Sequence, residues 1–379
     1  MKFNWYTWNL YKQTPAGKEK IKYFSKAEGY DLFKGYCPHA NFIPNGLYND
    51  WLESIYCYGV SDCEQPTSLN EAKLLYTSLI TLGIRIEEQQ WIPANDFKNM
   101  LGIIQPVSYV LSKFAPEYFF PYLFLCRIFE LNKIADFFNI DLPDMPKRTD
   151  YKGRCMYYCE LCEAFYQFRK ENKLSPEELW AFLYDFAPNN IVNENTEIPK
   201  PSQVWFIGGL LYEEDRLLES KFWQSSPETK RGDILIHYET SPVSAITCIE
   251  TSLTDGVIDP LFRYYGCIYI GNRISIPHIT LNELKTDEYF SNHSLVRKNF
   301  QGVNGWQSTG KDYLELLRMI KGKGFDSDTL PQLYAPTMPE GVNIECERDV
   351  EKQLLEPLLN SMGWYENKDF IRQLPIHAG

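Results

Sequence analysis

At 379 residues the chain is long enough for two or three domains of the usual ~100–200 residues. Its 44% hydrophobic content is ordinary for a globular protein, and its net charge of −12 excludes a generally basic nucleic-acid binder while leaving room for a local basic strip. The opening MKFNWYTWNLYK lacks the apolar core of a secretory signal, and the apolar run 118–129 contains Arg127 and is too short for a bilayer span. The ten cysteines follow no regular framework, so a cytoplasmic chain with reduced thiols and no membrane partner is expected.

The first half reads as helix. The pattern predicts an amphipathic helix over 68–86, with Leu74, Leu75, Ser78 and Leu79 on one stripe. Residues 119–138 are apolar nearly all round, as in a buried helix, and Pro143 and Pro146 stop it. Residues 154–170 read as one further helix. Ser175-Pro176-Glu177-Glu178 is a helix start, with Ser as the cap and Pro at the first helical position; that helix ends near Pro188. Residues 189–201, rich in Asn and Pro, read as a linker.

The period then changes. Residues 204–210, 234–238, 243–250, 266–270 and 274–276 are rich in Val, Ile, Tyr and Thr, are separated by Gly, Asp and Pro, and read as strands. A helix is expected over 312–320, then a turn-rich stretch to 345. A last helix over 347–362 places Val350, Leu354, Leu355, Leu358 and Leu359 on one side, with Gly363 as its stop.

Several motifs invite chemistry. Cys155, Cys159 and Cys162 have a C-x3-C-x2-C spacing used by iron–sulfur enzymes, but on a helix these positions share one face and read as core. Cys37, His39, Cys57 and Cys63 are zinc-ligand types without the usual paired spacing. Lys321-Gly-Lys-Gly lacks the phosphate-loop pattern, and no Gly-x-Ser-x-Gly elbow occurs.

The segment from 204 to 320 carries more. VWFIGG opens it; Phe222-Trp223-Gln224-Ser225 follows a short acidic helix; the Gly232-Asp233 turn leads to Tyr238; Ile276-Pro277 precedes a helix-like 279–284; and a Gln301-Gly302 turn precedes the closing helix. This order resembles the EVE domain, a member of the PUA-like group that includes YTH domains. The resemblance covers about a third of the chain and implies a small twisted barrel that captures one modified base in an aromatic pocket. It assigns Trp223 as a pocket wall, with Tyr238, Tyr265 and Trp306 as further candidates and Ser225 reading the base edge. Arg297, Lys298 and Gln301 would meet phosphates. Trp205 reads as core, and Tyr238 fits core or pocket.

The tail, ERDVEKQLLEPLLNSMGW followed by DFIRQLPIHAG, resembles the start of the PD-(D/E)xK nuclease domain of type I restriction subunits. That resemblance makes Glu351 a carboxylate contributor to an Mg²⁺ site, whose Asp and Glu-x-Lys do not occur up to Gly379. A plain amphipathic helix is the other reading of the same residues.

The expected fold is therefore α+β: a helical domain over 1–190, a PUA-like (EVE) small β-barrel over 203–322, and a C-terminal helical fragment over 345–379. The expected function is reading modified bases, in DNA before RNA, as the recognition part of a modification-dependent restriction endonuclease in anti-phage defence. The alternative is a non-catalytic reader that recruits protein partners through its helical half. A purely structural scaffold with every aromatic in a core is the third.

Overall fold

Local sequence sets the helix boundaries of the first half. Ser68 accepts from the Glu71 N–H and caps Leu69–Leu82, which Gly83 ends with φ 88°. Ser175 and Glu178 satisfy each other's backbone donors in a capping box, starting Pro176–Ala181, which continues through a wide turn to Asn190. Asp150 caps the 21-residue helix Tyr151–Glu171. The computed structural model describes residues 5–37, 45–85, 91–92, 95–191, 197–212, 218–333, 344, 346–361, 363–366 and 368–370. They belong to two units, residues 1–333 and 334–379. Among them no helix is long and apolar enough to cross a membrane. The acidic helix expected before Ser220 lies largely outside the described residues.

Two helical expectations are corrected. The stripe of Leu69–Leu82 is Ala72, Tyr76, Leu79 and Ile80, while Leu74 is exposed. The face is turned because Tyr76 reaches inward to donate to the Cys155 carbonyl. Residues 119–138 are not one helix, since only Ile128–Phe138 is helical. The preceding stretch runs irregular and buried past Pro116 and Pro121, with Cys126 at φ 65°. Its backbone groups are satisfied by hydroxyls: Tyr158 donates to Phe120, Tyr184 to Pro121, and Ser108 accepts from Tyr122. Unbroken hydrophobicity reported burial there, not helicity.

A curled mixed sheet follows the helices. A short pair, β1 (Ile84–Arg85) and β2 (Trp91–Ile92), precedes it. The sheet strands are β3 (Val204–Gly208), β4 (Ser220–Gln224), β5 (Ile234–Glu239), β6 (Ala245–Ser252), β7 (Val257–Ile258), β8 (Gly266–Thr280) and β9 (Trp306–Ser308). Their order is β4-β8-β6-β5-β3-β9, with β7 beside β8. Only β3 and β5 run parallel among these pairs. All residues of β5 and β6 are buried, because both faces are covered. Val204, Phe206, Ile234, Ile236 and Tyr238 face one core, which helices Leu281–Thr286 and Gly310–Gly322 close. Trp205, Ile207 and Leu235 face the other. The register slips between His237 and Tyr238, which places Ile246 and Ile249 on one side despite their spacing of three. Two further boundaries differ from expectation. The strand β8 runs unbroken through Pro277, and Phe222-Trp223-Gln224 belongs to strand β4 instead of a loop.

Two carboxylates pin this architecture. Asp233, fully buried in the turn before β5, accepts from Trp205 Nε1 (2.9 Å), Lys230 N (2.8 Å), Gln203 N and Ser202 Oγ. Asp259 joins the helical half to the sheet by accepting from Cys126 N (3.0 Å), Leu261 N and Phe262 N. Beside it the buried Arg154 guanidinium donates to the carbonyls of Pro260, Phe262 and Arg148.

In the second unit, 347–361 is one helical run, followed by Gly363 at φ 85°. Leu355 and Leu358 on it are exposed.

Replacing Asp233 by Ala should cost about 2–4 kcal/mol, because several donors lose their acceptor at once. Urea unfolding of the two proteins checks this, and a loss under ~0.5 kcal/mol would show the turn to be held by other means.

Burial raises the Asp259 pKa to about 6 from 3.8, outweighing the backbone donors that oppose the shift. The fold therefore favours the protonated form. That contribution is complete below the unfolded value and is lost as pH rises through about 6. Wild type should lose up to about 3 kcal/mol relative to Asp259→Asn between pH ~4 and ~7. Parallel stability curves for the two proteins would refute it.

Candidate functional site

Alternation along β5 sends His237 to the Trp205 side of the sheet, while its neighbours Ile236 and Tyr238 face the other core. On β6, Cys248 lies opposite His237, and Glu250 lies beyond it on the same side. His237 Nδ1 is 2.8 Å from Glu250 Oε2, and Arg273 Nε donates to Glu250 Oε1 at 2.7 Å. His237, Cys248 and Glu250 are all essentially without solvent exposure. Burial pushes the Glu250 pKa up, but its bonds to His237 and Arg273 outweigh that and hold it below the usual carboxylate range. Burial, aided by the Glu250 charge, pushes the Cys248 thiol up to about 12.

Trp223 comes to this cluster from β4. Its ring centroid lies 4.8 Å from that of His237 at 58°, and Nε1 donates to Asn304 Oδ1 at 3.2 Å. The Lys221 ammonium sits 4.0 Å from the indole centroid. The same Asn304 oxygen accepts from Gly208 N at 2.9 Å, so one amide fixes both the indole and the end of β3. Gly209 then passes so close that a Cβ there would lie 2.6 Å from Trp223 Cζ2. This approach accounts for Gly209, whereas a Cβ at Gly208 would lie 2.3 Å from Val303 Cγ1. Trp223 is half-buried, so part of it remains accessible beside a group of buried ionisable side chains, a combination typical of functional sites.

Of the residues expected in the pocket, only Trp223 stands here. Tyr238 lies on the opposite face, buried and stacked on Phe300 at 3.9 Å and 4°. Trp306 pairs with Phe206 and therefore shares that opposite face, with Lys298 Nζ 5.7 Å from its ring. Tyr265, at φ 77°, packs under Arg154 and donates to the Pro146 carbonyl, in the joint with the helical half. Ser225 is buried with its hydroxyl 3.0 Å from that of Thr229. These four aromatics do not form one cage. Arg297, Lys298 and Gln301 are exposed on the turn after helix Ser294–Arg297. That turn is shaped by Asn299, Phe300 and Gly302 at positive φ and leads directly to Asn304.

Sequence reasoning missed His237, Glu250, Arg273, Lys221 and Asn304. The signal was a histidine and a glutamate on the same side of two adjoining strands, ILIHYE and AITCIETS.

His237, Cys248 and Glu250 offer metal-ligand atoms within 4.8 Å of one another. Both Glu250 oxygens are already engaged and the thiol is held protonated, so the donors form a hydrogen-bonded set instead of a thiolate cage. Cys37 is buried, and Cys57 and Cys63 are exposed; His39 lies outside the described residues. Cys155, Cys159 and Cys162 are buried on helix Tyr151–Glu171. Among the described residues Glu351 belongs to no group of three metal-capable side chains, so no Mg²⁺ step is derived for it.

No protein-family model matches the sequence, and no curated protein matches it either. Among solved structures, an NMR structure from Rhodopseudomonas palustris aligns with 31% of this chain and 93% of its own, at 14% identity and a TM-score of 0.28. That level does not establish a shared fold.

Gly209→Ala should push the indole off its seat and break the Trp223–Asn304 bond. The Trp223 indole N–H resonance, assigned with Trp223→Phe, should move or broaden. An unchanged resonance would mean that the close approach is not maintained in solution.

Proposed function

We propose that residues 203–322 read nucleic acid by stacking one modified base against Trp223, with Arg297, Lys298 and Gln301 meeting the backbone beside it. The observation that supports this reading is the tie through Asn304. It couples a half-buried indole, set beside buried ionisable groups, to the end of an exposed basic turn. Base–aromatic stacking is worth about 1–3 kcal/mol per base, enough to carry discrimination when few phosphates are touched. Two cations at the backbone would contribute a modest salt dependence, which suits a chain with net charge −12. The pocket of this reading is smaller than the resemblance implied: it rests on Trp223 with Gly208 and Gly209 alongside, without Tyr238, Tyr265 or Trp306. DNA is the proposed polymer, and modification-dependent restriction in phage defence is the proposed setting. A second form of the proposal is a reader without its own nuclease centre that works with protein partners through the helical half.

Binding of the full chain to matched duplexes tests the reading. The duplexes are unmodified or carry 5-methylcytosine, 5-hydroxymethylcytosine or N6-methyladenine. One modified duplex should bind tighter, and Trp223→Ala should remove at least about tenfold of that preference. Arg297→Ala with Lys298→Ala should weaken all duplexes alike and reduce the salt slope by about 2. Equal binding to every duplex, unchanged by Trp223→Ala, would sink the base-capture reading.

A further inference from the structure

His237 Nε2 is fully buried and has no hydrogen-bond partner among the described residues. Leaving a buried polar atom unmatched is costly, so a group retained in that state is a candidate for a ligand. Its chemical character follows from its neighbours. The Glu250 carboxylate is held ionised and can only accept, so the hydrogen between it and His237 belongs to Nδ1. Arg273 Nε holds the other Glu250 oxygen at 2.7 Å, so the carboxylate is fixed from both sides. In a neutral ring with its proton on Nδ1, Nε2 carries a lone pair and accepts.

We propose that His237 Nε2, held as an acceptor by Glu250 and Arg273, binds an N–H donor on the edge of a planar ring that inserts beside Trp223. Rings without such a donor are rejected. Glu250 and Arg273 are positioning residues, and His237 is the specificity residue. The indole lies against the imidazole, so a ring reaches Nε2 only if Trp223 shifts. The inference rests on the base-capture reading for the identity of its ligand, whereas the tautomer on which it depends is measurable without any ligand.

Two measurements on the full chain test it. In the first, nitrogen-15 histidine spectra at neutral pH, assigned with His237→Gln, report which ring nitrogen bears the proton. A lone pair on Nε2 is expected, and a proton there overturns the inference whatever binds. In the second, short single-stranded oligodeoxynucleotides carry a central 5-methylcytosine or its amine-free analogue, 5-methyl-2-pyrimidinone. A second pair carries thymine or 3-methylthymine. The donor-free member of a bound pair should bind about tenfold more weakly to wild type, and the gap should close in His237→Ala. Glu250→Gln, which removes the charge facing Nδ1, should narrow the gap. Equal binding of donor and donor-free rings, with Trp223→Ala still damaging both, overturns the His237 role and leaves the base reading standing. With the expected tautomer present, failure of all four rings to bind overturns both.

Discussion

The central strands β5 and β6 are buried on both faces, so a polar group placed on them is costly unless it is matched. Aliphatic side chains avoid this cost by packing. The carboxylates of Asp233 and Glu250 offset it by collecting donors. Asp233 takes the Trp205 indole and backbone N–H groups, which fixes where β3 lies relative to the turn before β5. Glu250 takes His237 and Arg273, which fixes β5, β6 and β8 at one level. Breaking either group leaves donors or charge stranded in an apolar interior, and the alternatives open to the chain there are expensive. The order of the strands is therefore tied to the same atoms that give the candidate site its character.

The helical half and the sheet share one unit for a related reason. The carbonyls of Pro260 and Phe262, in the loop before β8, are met by the Arg154 guanidinium, which projects from helix Tyr151–Glu171. Asp259 in the same loop meets the backbone of Cys126, and Leu261 enters the helical core. Tyr265 is recruited to this joint by its bond to Pro146 and its stacking with Arg154. An aromatic that the resemblance made a pocket candidate is thus committed to holding two parts of the chain together.

Local chemistry was the legible part of the sequence. The helix start at Ser68, the cap at Ser175, and the strands beginning at Val204, Ile234 and Gly266 follow from short-range signals and stand where those signals place them. The irregular buried stretch before Ile128 was not legible, because its backbone is satisfied by hydroxyls distant in sequence, from Tyr158 and Tyr184. The register slip at His237 was hidden too, since it depends on how β6 meets β5. At the site, Trp223 was recognisable from its own segment. Its neighbours His237, Glu250 and Asn304 were not, because strand alternation says that a side chain turns inward and does not say what waits there. Tyr238 and Trp306 show the converse. Each is an aromatic near the right place in sequence, yet each is on the face opposite Trp223 once register is fixed.

The face that remains has a consistent chemistry. A cage of several aromatics would recognise a methyl group or a cation by surface alone and would need little from the sheet beneath. A single indole against a histidine, itself bonded to a glutamate that an arginine holds, would work differently. On the proposed reading the indole supplies a flat, sequence-tolerant surface, so discrimination would come from a directional bond at the ring edge. Directionality requires that the bonding atom be fixed in position and in protonation. In the proposal the His237–Glu250–Arg273 chain does both: the carboxylate faces Nδ1 and the guanidinium holds the carboxylate. On that reading the same burial that makes these charges costly within the sheet would make the bond selective, because only a ring with a donor relieves a nitrogen that is otherwise unmatched.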